Sequence, residues 1–265
     1  MNRIVFLGTS RCLPTQYRDN TSILFETDND AVLIDCSGKP YQSLLKCGVR
    51  LENLDTIIIS HYHVDHCYGF PSLLSSFHLA GRKANMAVLG LPEVIQKLKE
   101  LLEIFGYPES WAKVQELYPI EFTEISRDSM NQIYDGPGLS VYSSVNGHVV
   151  PNLALKIVYK HINRTVVYSS DTSAPHKAVV DLAMFSDYLI HETNFLSADR
   201  TSAARDGHST AEQVGEVARM TKVKKLYLVH HGIDDPKRVE QMIAEVGIDN
   251  FSVSVPHDME SVVIE

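Results

Sequence analysis

Twelve of the 265 residues are histidine, and where they fall says more than how many there are. Three come in one burst, Ser60-His61-Tyr62-His63-Val64-Asp65-His66, directly after the apolar run Ile57-Ile58-Ile59. A strand that ends in polar residues delivers them to a sheet edge, where ligand sites gather. His61 and His63 are two apart, so in extended chain both point the same way and can share one metal ion. Asp65 and His66 follow on the turn into a helix and can hold a second ion nearby. Imidazole with carboxylate suits zinc, and manganese or iron as well. A chance His-rich turn is the bland alternative; three histidines at specified places arise in roughly one window in 10⁴, before the aspartate is required.

Two ions need more ligands, and strand ends elsewhere offer them. Gly147-His148 closes the apolar run Leu139–Val145, and Ser169-Ser170-Asp171-Thr172 closes Val166-Val167-Tyr168. His191-Glu192 closes Tyr188-Leu189-Ile190, and His230-His231-Gly232 closes Leu226–Val229. One such histidine alone is more often a satisfied surface residue. Four polar bursts in this order, behind the first motif, place them together on one rim.

The elements that must carry this rim are short. Strands are expected at Arg3–Leu7, Ser22–Thr27, Ala31–Ile34, Thr56–Ser60, Leu153–Tyr159, Thr165–Ser169, Tyr188–His191, Lys225–His230, Phe251–Val255 and Ser261–Ile264. Helical spacing marks Tyr41–Lys46, Ser72–Leu79, Pro92–Phe105, His176–Met184, Ala211–Met220 and Lys237–Val246. Residues 106–138 are expected to hold one short helix and strands. Two strand-rich halves, each followed by helices, predict two sheets packed face to face with helices outside. With no linker and no low-complexity segment, residues 1–265 read as a single α/β domain.

Composition closes off other classes. The chain is 44% apolar with 22% charged residues, which excludes disorder. Its four cysteines (Cys12, Cys36, Cys47, Cys67) form no C-x-x-C pair, so reduced thiols and a cytoplasmic location are expected. No apolar stretch nears the ~20 residues of a membrane helix. A net charge of −9 argues against tracking a nucleic-acid backbone by bulk attraction.

With these residues in place, the chain resembles the metallo-β-lactamase-fold hydrolases, and within them the ribonuclease Z-like branch, nearly end to end. Phe6-Leu7-Gly8-Thr9 with Asn20-Thr21-Ser22 resembles that branch's opening, and Leu33-Ile34-Asp35-Cys36-Ser37-Gly38 its strand before the first helix. Gly69-Phe70-Pro71-Ser72-Leu73-Leu74 and Gly81-Arg82 resemble the segment after its metal motif, and His191-Glu192-Thr193-Asn194-Phe195 its His-Glu-Ala-Thr-Phe motif. Gly207-His208-Ser209-Thr210-Ala211 is the most specific match. The resemblance implies an αββα four-layer sandwich with a binuclear, zinc-type centre. His61, His63 and His148 would hold one divalent ion, Asp65, His66 and His230 the other, and Asp171 would bridge them. A hydroxide between the ions would attack the phosphorus of a phosphodiester, with Asp65 orienting or deprotonating the water that supplies it. His208 would donate a proton to the leaving oxygen and Glu192 would orient His208. Ser209 and Thr210 would cap the helix from Ala211, with Glu212 in a local capping interaction. Pairing as a homodimer, through the apolar segments Phe70–Phe77 and Pro92–Phe105, is also implied.

Two departures redirect the substrate. The stretch between His148 and Asp171 is too short for the arm with which tRNA-processing members grip tRNA. After His230, the usual Phe-Ser-x-Arg-Tyr is replaced by His231-Gly232-Ile233-Asp234-Asp235, which removes a basic residue near the expected phosphate site. The expected substrate is therefore a small phosphodiester or short RNA, not tRNA. The alternatives are a hydrolase of the same fold acting on a thioester, lactone or sulfate ester, and a non-catalytic binding protein that keeps the fold. Of the remaining histidines, His78, His161 and His176 are expected to face solvent, His231 to turn away from the rim, and His257 to have an outside chance of reaching it.

Overall fold

Short apolar runs bounded by turn residues pair into two seven-stranded sheets. The computed structural model describes residues 1–106, 118–248 and 250–265. The first sheet contains β1 (Arg3–Gly8), β2 (Ser22–Glu26), β3 (Ala31–Ile34), β4 (Leu54–Ile58), β5 (Met86–Gly90), β6 (Ile120–Glu124) and β14 (Glu260–Val263), in the order β14-β1-β2-β3-β4-β5-β6. The second contains β7 (Asn131–Asp135), β8 (Leu139–Val145), β9 (Leu153–Tyr159), β10 (Arg164–Tyr168), β11 (Tyr188–Glu192), β12 (Lys225–Val229) and β13 (Ser252–Ser254), in the order β13-β12-β11-β10-β9-β8-β7. Each sheet is antiparallel along one stretch and parallel along the other, the parallel pairs running β3-β4-β5-β6 and β10-β11-β12-β13.

Strand alternation sorts the layers. In β10, Val166 and Tyr168 join the core between the sheets, while Val167 joins a second cluster on the outer face. In β12, Tyr227 and Val229 face inward, and Leu226 and Leu228 face outward. The outward residues pack on α5 (Lys177–Ala183), α7 (Ala211–Thr221) and α8 (Pro236–Val246) through Val179, Leu182, Val214, Val217 and Met242. The first sheet is covered by α1 (Pro40–Lys46), α3 (Phe70–Leu79) and α4 (Pro92–Ile104), whose Leu44, Phe70, Leu74, Phe77, Val94 and Leu98 are all within 1% of full burial. The result is the expected αββα sandwich. The buried faces of α3 and α4 pack on their own sheet, while Leu79 and Ile104 stay exposed at their ends.

Gly215 shows how tightly α7 and α8 meet. A Cβ there would lie 1.9 Å from the Val246 carbonyl oxygen, which outweighs the ~1 kcal/mol that a mid-helix glycine costs. The remaining described α-helices are α2 (Val64–Cys67) and α6 (Arg200–Asp206). Within residues 118–138 the chain forms β6 and β7; the short helix expected in 106–138 lies outside the described residues.

Strands β3, β4, β10, β11 and β12 lead into Asp35, His61, Asp171, Thr193 and His230 respectively. Parallel strands of both sheets therefore release their polar residues at one rim, and short helices and turns there aim them.

Candidate metal centre

Five elements converge at the rim. After β4 the chain stays extended through His63 (φ −62, ψ 145), which is the N-cap of α2, so His61 and His63 turn to one side and α2 carries Asp65 and His66. His148 follows β8, Asp171 follows β10 and His230 follows β12. His230 sits at φ +56, a left-handed conformation costly for a residue with a Cβ. Its backbone N–H donates to the Thr9 carbonyl at 2.8 Å, which ties the rim of the second sheet to the loop after β1.

The ring nitrogens crowd in a way that suits shared coordination. His61 Nε2 lies 3.0 Å from His63 Nδ1, which is 3.2 Å from His148 Nε2. Asp171 Oδ2 is 3.8 Å from His61 Nε2 and 3.9 Å from His148 Nε2. On the other side, Asp65 Oδ2 lies 3.5 Å from His66 Nε2 and 3.4 Å from His230 Nε2. Asp171 spans both sets, with Oδ2 3.5 Å from His66 Nε2 and Oδ1 3.4 Å from His230 Nε2. All seven side chains that the sequence singled out as ligands thus meet in one place.

Two observations test the fit to a divalent ion. His66 Nε2 and Asp171 Oδ1 are buried without a hydrogen-bond partner, an arrangement that costs about 1–3 kcal/mol per group unless something else binds there. The opposite edges of the rings are already committed. His66 Nδ1 meets Asp35 Oδ2 at 2.7 Å, and His148 Nδ1 meets the Gly207 carbonyl at 2.9 Å. In these two rings the outer nitrogen is positioned to donate to an acceptor, leaving the inner nitrogen free to face an ion, as in metal-binding histidines. A tetrahedral ion with ligand distances of about 2.0–2.1 Å holds its ligand atoms about 3.3 Å apart, close to the nitrogen spacing here. The His/Asp cluster suits divalent metal binding.

Electrostatics divide the candidate histidines: His66, between the carboxylates of Asp171 and Asp35, is raised well above the usual histidine range despite its burial, whereas three others are lowered. Burial holds the His61, His63 and His148 imidazoles below the usual histidine range, with the neighbouring rings adding to the effect at His61. Neutral rings are what a cation needs. Burial would raise the Asp65 and Asp171 carboxyls, but the neighbouring histidines outweigh it. Asp65 is brought down to about 2, and Asp171, beside His230 and His66, lies well below the ordinary aspartate range.

Beside this cluster, His208 Nδ1 lies 3.0 Å from Glu192 Oε1. Burial would lower the imidazole, yet Glu192 outweighs it and lifts the pKa to about 9. His208 also comes within ligand reach of Asp171 and His230. Thr210 caps α7, but its capping box is completed by Gln213 rather than Glu212. Ser209 is used elsewhere, accepting from the Ala174 N–H at 3.0 Å and donating to the Thr172 carbonyl at 2.6 Å.

Among the other histidines, His161 and His257 are exposed, and His257 approaches Arg18 rather than the rim cluster. His176 accepts a backbone N–H at the start of α5 and is half-buried, as is His78. His231 is fully buried rather than superficial, and burial pushes its pKa down to about 3. The sequence reading gave no role to Asp35. It is fully buried at φ +59 and accepts from the Ser60 N–H (2.8 Å), Ser60 Oγ (3.0 Å), Tyr168 Oη (3.3 Å) and His66. Its signal was present: Asp35 closes the apolar strand Ala31–Ile34, just as the ligands close theirs.

A cavity of ≈ 460 Å³ opens over the cluster, with Arg11, Asn194, Phe195 and Asp206 in its walls beside His63, Asp171 and His230. The two mixed sheets and this His/Asp rim define a metallo-β-lactamase-fold hydrolase of the ribonuclease Z-like kind. Residues 2–248 match the family model described as Anti-Pycsar protein Apyc1, and the chain belongs to that family. It is 27% identical over 274 positions to ribonuclease Z of Picrophilus torridus, covering 86% of this chain and 85% of that one. Its fold is similar to that of the metallo-β-lactamase-fold protein YhfI from Bacillus subtilis (TM-score 0.81, 19% identity, 98% of each chain). It is also similar to human tRNase Z, short form (TM-score 0.78, 20% identity, 99% of each chain).

Proposed function

We propose that the protein is a phosphodiesterase of small substrates with two divalent ions, of which zinc suits the donors best. His61, His63 and His148 would hold one ion and Asp65, His66 and His230 the other, with Asp171 placed between the two sets. The observation that carries this reading is the reach of Asp171, whose two oxygens face both nitrogen sets at 3.4–3.9 Å. When bound, such ions lower the pKa of coordinated water and stabilise charge developing on a phosphoryl group.

The chain's own groups do the rest. Asp65 stays ionised and can take a proton from an attacking water at Oδ2. His208, kept protonated by Glu192, donates from its ring edge to the departing alkoxide. Asp35 fixes the His66 ring, and the Gly207 carbonyl fixes His148. The free thiols of all four cysteines favour a reducing, cytoplasmic setting.

Small substrates are favoured by what lies between His148 and Asp171. That stretch is used up by the antiparallel pair β9 and β10, which leaves no residues there for an extended arm. The match to the Picrophilus torridus ribonuclease Z runs over 274 positions but takes in only 86% of this chain, so that relative carries residues this one lacks. The test is a panel of small phosphodiesters, a thioester, a lactone, a sulfate ester and a precursor tRNA, offered to metal-reconstituted protein. Fast turnover is expected for a phosphodiester. Slow turnover of every phosphodiester beside a fast thioester or lactone would overturn the reaction class. Rapid, accurate 3′ trimming of the tRNA would overturn the size limit.

A further inference from the structure

Among the described residues that line the cavity, Arg11 is the only lysine or arginine; the walls otherwise bring Asp65, Asp171 and Asp206. It lies on the loop between β1 and β2, far in sequence from the segment after His230 where a basic residue is missing. That loop is fastened to this segment. Ser10 Oγ donates to the His231 carbonyl at 3.3 Å, Thr15 Oγ1 donates to Asp234 at 2.9 Å, and Arg18 pairs with Asp234 at 3.6 Å. Asp234 is thus occupied below the loop, and Arg11 takes the cavity side.

Gly232 makes room for it. A Cβ at 232 would lie 2.8 Å from Arg11 Nε. Gly232 is not among the positive-φ glycines, so a side chain added there would push on the guanidinium rather than strain the backbone. Arg11 Nη1 donates to Asn194 Oδ1 at 3.2 Å, and the Asn194 N–H donates to Glu192 Oε2 at 3.0 Å. The cation is therefore braced against the carboxylate that holds His208. No carboxylate among the described residues pairs with Arg11; Arg50, Arg82 and Arg219 lack one too but spend their donors on backbone carbonyls, whereas Arg11 lines the cavity. A part-buried guanidinium with donors to spare, facing an open cavity, is suited to an anion that offers two oxygens side by side.

We infer that Arg11 is a substrate-positioning residue, binding non-bridging oxygens of the substrate's phosphoryl group in place of the basic residue absent after His230. This rests on the phosphodiesterase reading, and the test separates the two. Metal-reconstituted wild type, Arg11→Gln, Arg11→Lys, Gly232→Ala and the Arg11→Gln/Gly232→Ala double variant are titrated calorimetrically with inorganic phosphate. They are also assayed on an alkyl phosphodiester and on neutral nitrophenyl acetate.

Arg11→Gln is expected to weaken phosphate binding and raise the phosphodiester KM by about 10- to 100-fold. Its kcat should stay within about threefold of wild type, as for loss of uniform binding, with metal content unchanged. Lysine should recover part of the loss. Gly232→Ala should reproduce part of it alone and add nothing in the Arg11→Gln background. Wild-type phosphate affinity in Arg11→Gln, an equal KM loss on the neutral ester, or no phosphate binding by the wild type would overturn the inference. If no phosphodiester is hydrolysed at all, the hydrolase reading fails while the phosphate titration still decides Arg11.

Discussion

His208 Nδ1 stands 3.0 Å from Glu192 Oε1, and that one oxygen also accepts the backbone N–H groups of Ser209 (3.0 Å) and Thr172 (3.2 Å). The His208 ring is stacked near His230, with centroids 5.4 Å apart and planes 26° apart. A protonated imidazole is thereby fixed beside the candidate ligands by a buried carboxylate that cannot itself turn away.

The first prediction follows from that placement. Expelling an alkoxide needs a proton, and general acid catalysis is typically worth ~10²–10⁴-fold. His208→Ala should lose about that much on an alkyl phosphodiester while retaining its metal. On a nitrophenyl phosphodiester, whose leaving group hardly needs protonation, the loss should shrink sharply. Equal losses on both substrates would assign His208 to positioning. Loss of metal would make it a ligand, and the pairing of His230 with the second ion would need revision.

Metal content is the second. Elemental analysis after reconstitution should give about two ions per chain. Chelation should lower the melting temperature, because the buried His66 and Asp171 atoms left without hydrogen bonds lose their partner; at a thousandfold excess over Kd, binding contributes about 4 kcal/mol. Saturation at one ion, or full binding retained in an Asp171→Ala/His63→Ala variant, would sink the binuclear reading.

The centre was more legible in the sequence than the elements around it. Ligands announce themselves because each follows an apolar strand, and the strand fixes its direction. Asp35 obeys the same rule but escaped notice, since its partner His66 lies across the sheet and no spacing reports that contact. Arg11 and Asn194 come from loops whose paths depend on the whole fold. Strand β5 was missed because Met86–Gly90 is a five-residue run with alanine inside and glycine at its end. Helix α6 was missed because Arg200–Asp206 buries only Ala203 and shows no apolar period. The box on α7 was assigned to Glu212 rather than Gln213, a one-residue difference that only the cap geometry resolves.

Asp35 supplies the third prediction. At φ +59 it occupies a conformation that asparagine also tolerates, so Asp35→Asn isolates the charge and the acceptor. The new amide would face Ser60, Tyr168 or His66 with a donor where each expects an acceptor. Metal affinity, read by competition with a chelator, should weaken about 10- to 100-fold. Stability should fall by about 1–3 kcal/mol. Unchanged metal affinity would reduce Asp35 to a packing role.

The last prediction lies away from the rim and tests pH. Asp187 accepts the Thr165 N–H at 2.9 Å and pairs with Lys224 at 2.7 Å, with its side chain 12% exposed. Burial acts to raise its pKa, but Lys224 and the Thr165 N–H outweigh it and the net shift is downward. A carboxyl with a depressed folded pKa binds fewer protons folded than unfolded. Its contribution is therefore complete above the unfolded value of about 3.9 and is lost as pH falls through the folded one. Asp187→Asn should cost about 1 kcal/mol at neutral pH, seen as a lower urea midpoint. Below about pH 4 the gap to wild type should close. Acid also releases metal, but from both proteins alike, so that effect cancels in the difference. A gap that persists undiminished in acid would show that Asp187 acts through shape and hydrogen bonding rather than charge.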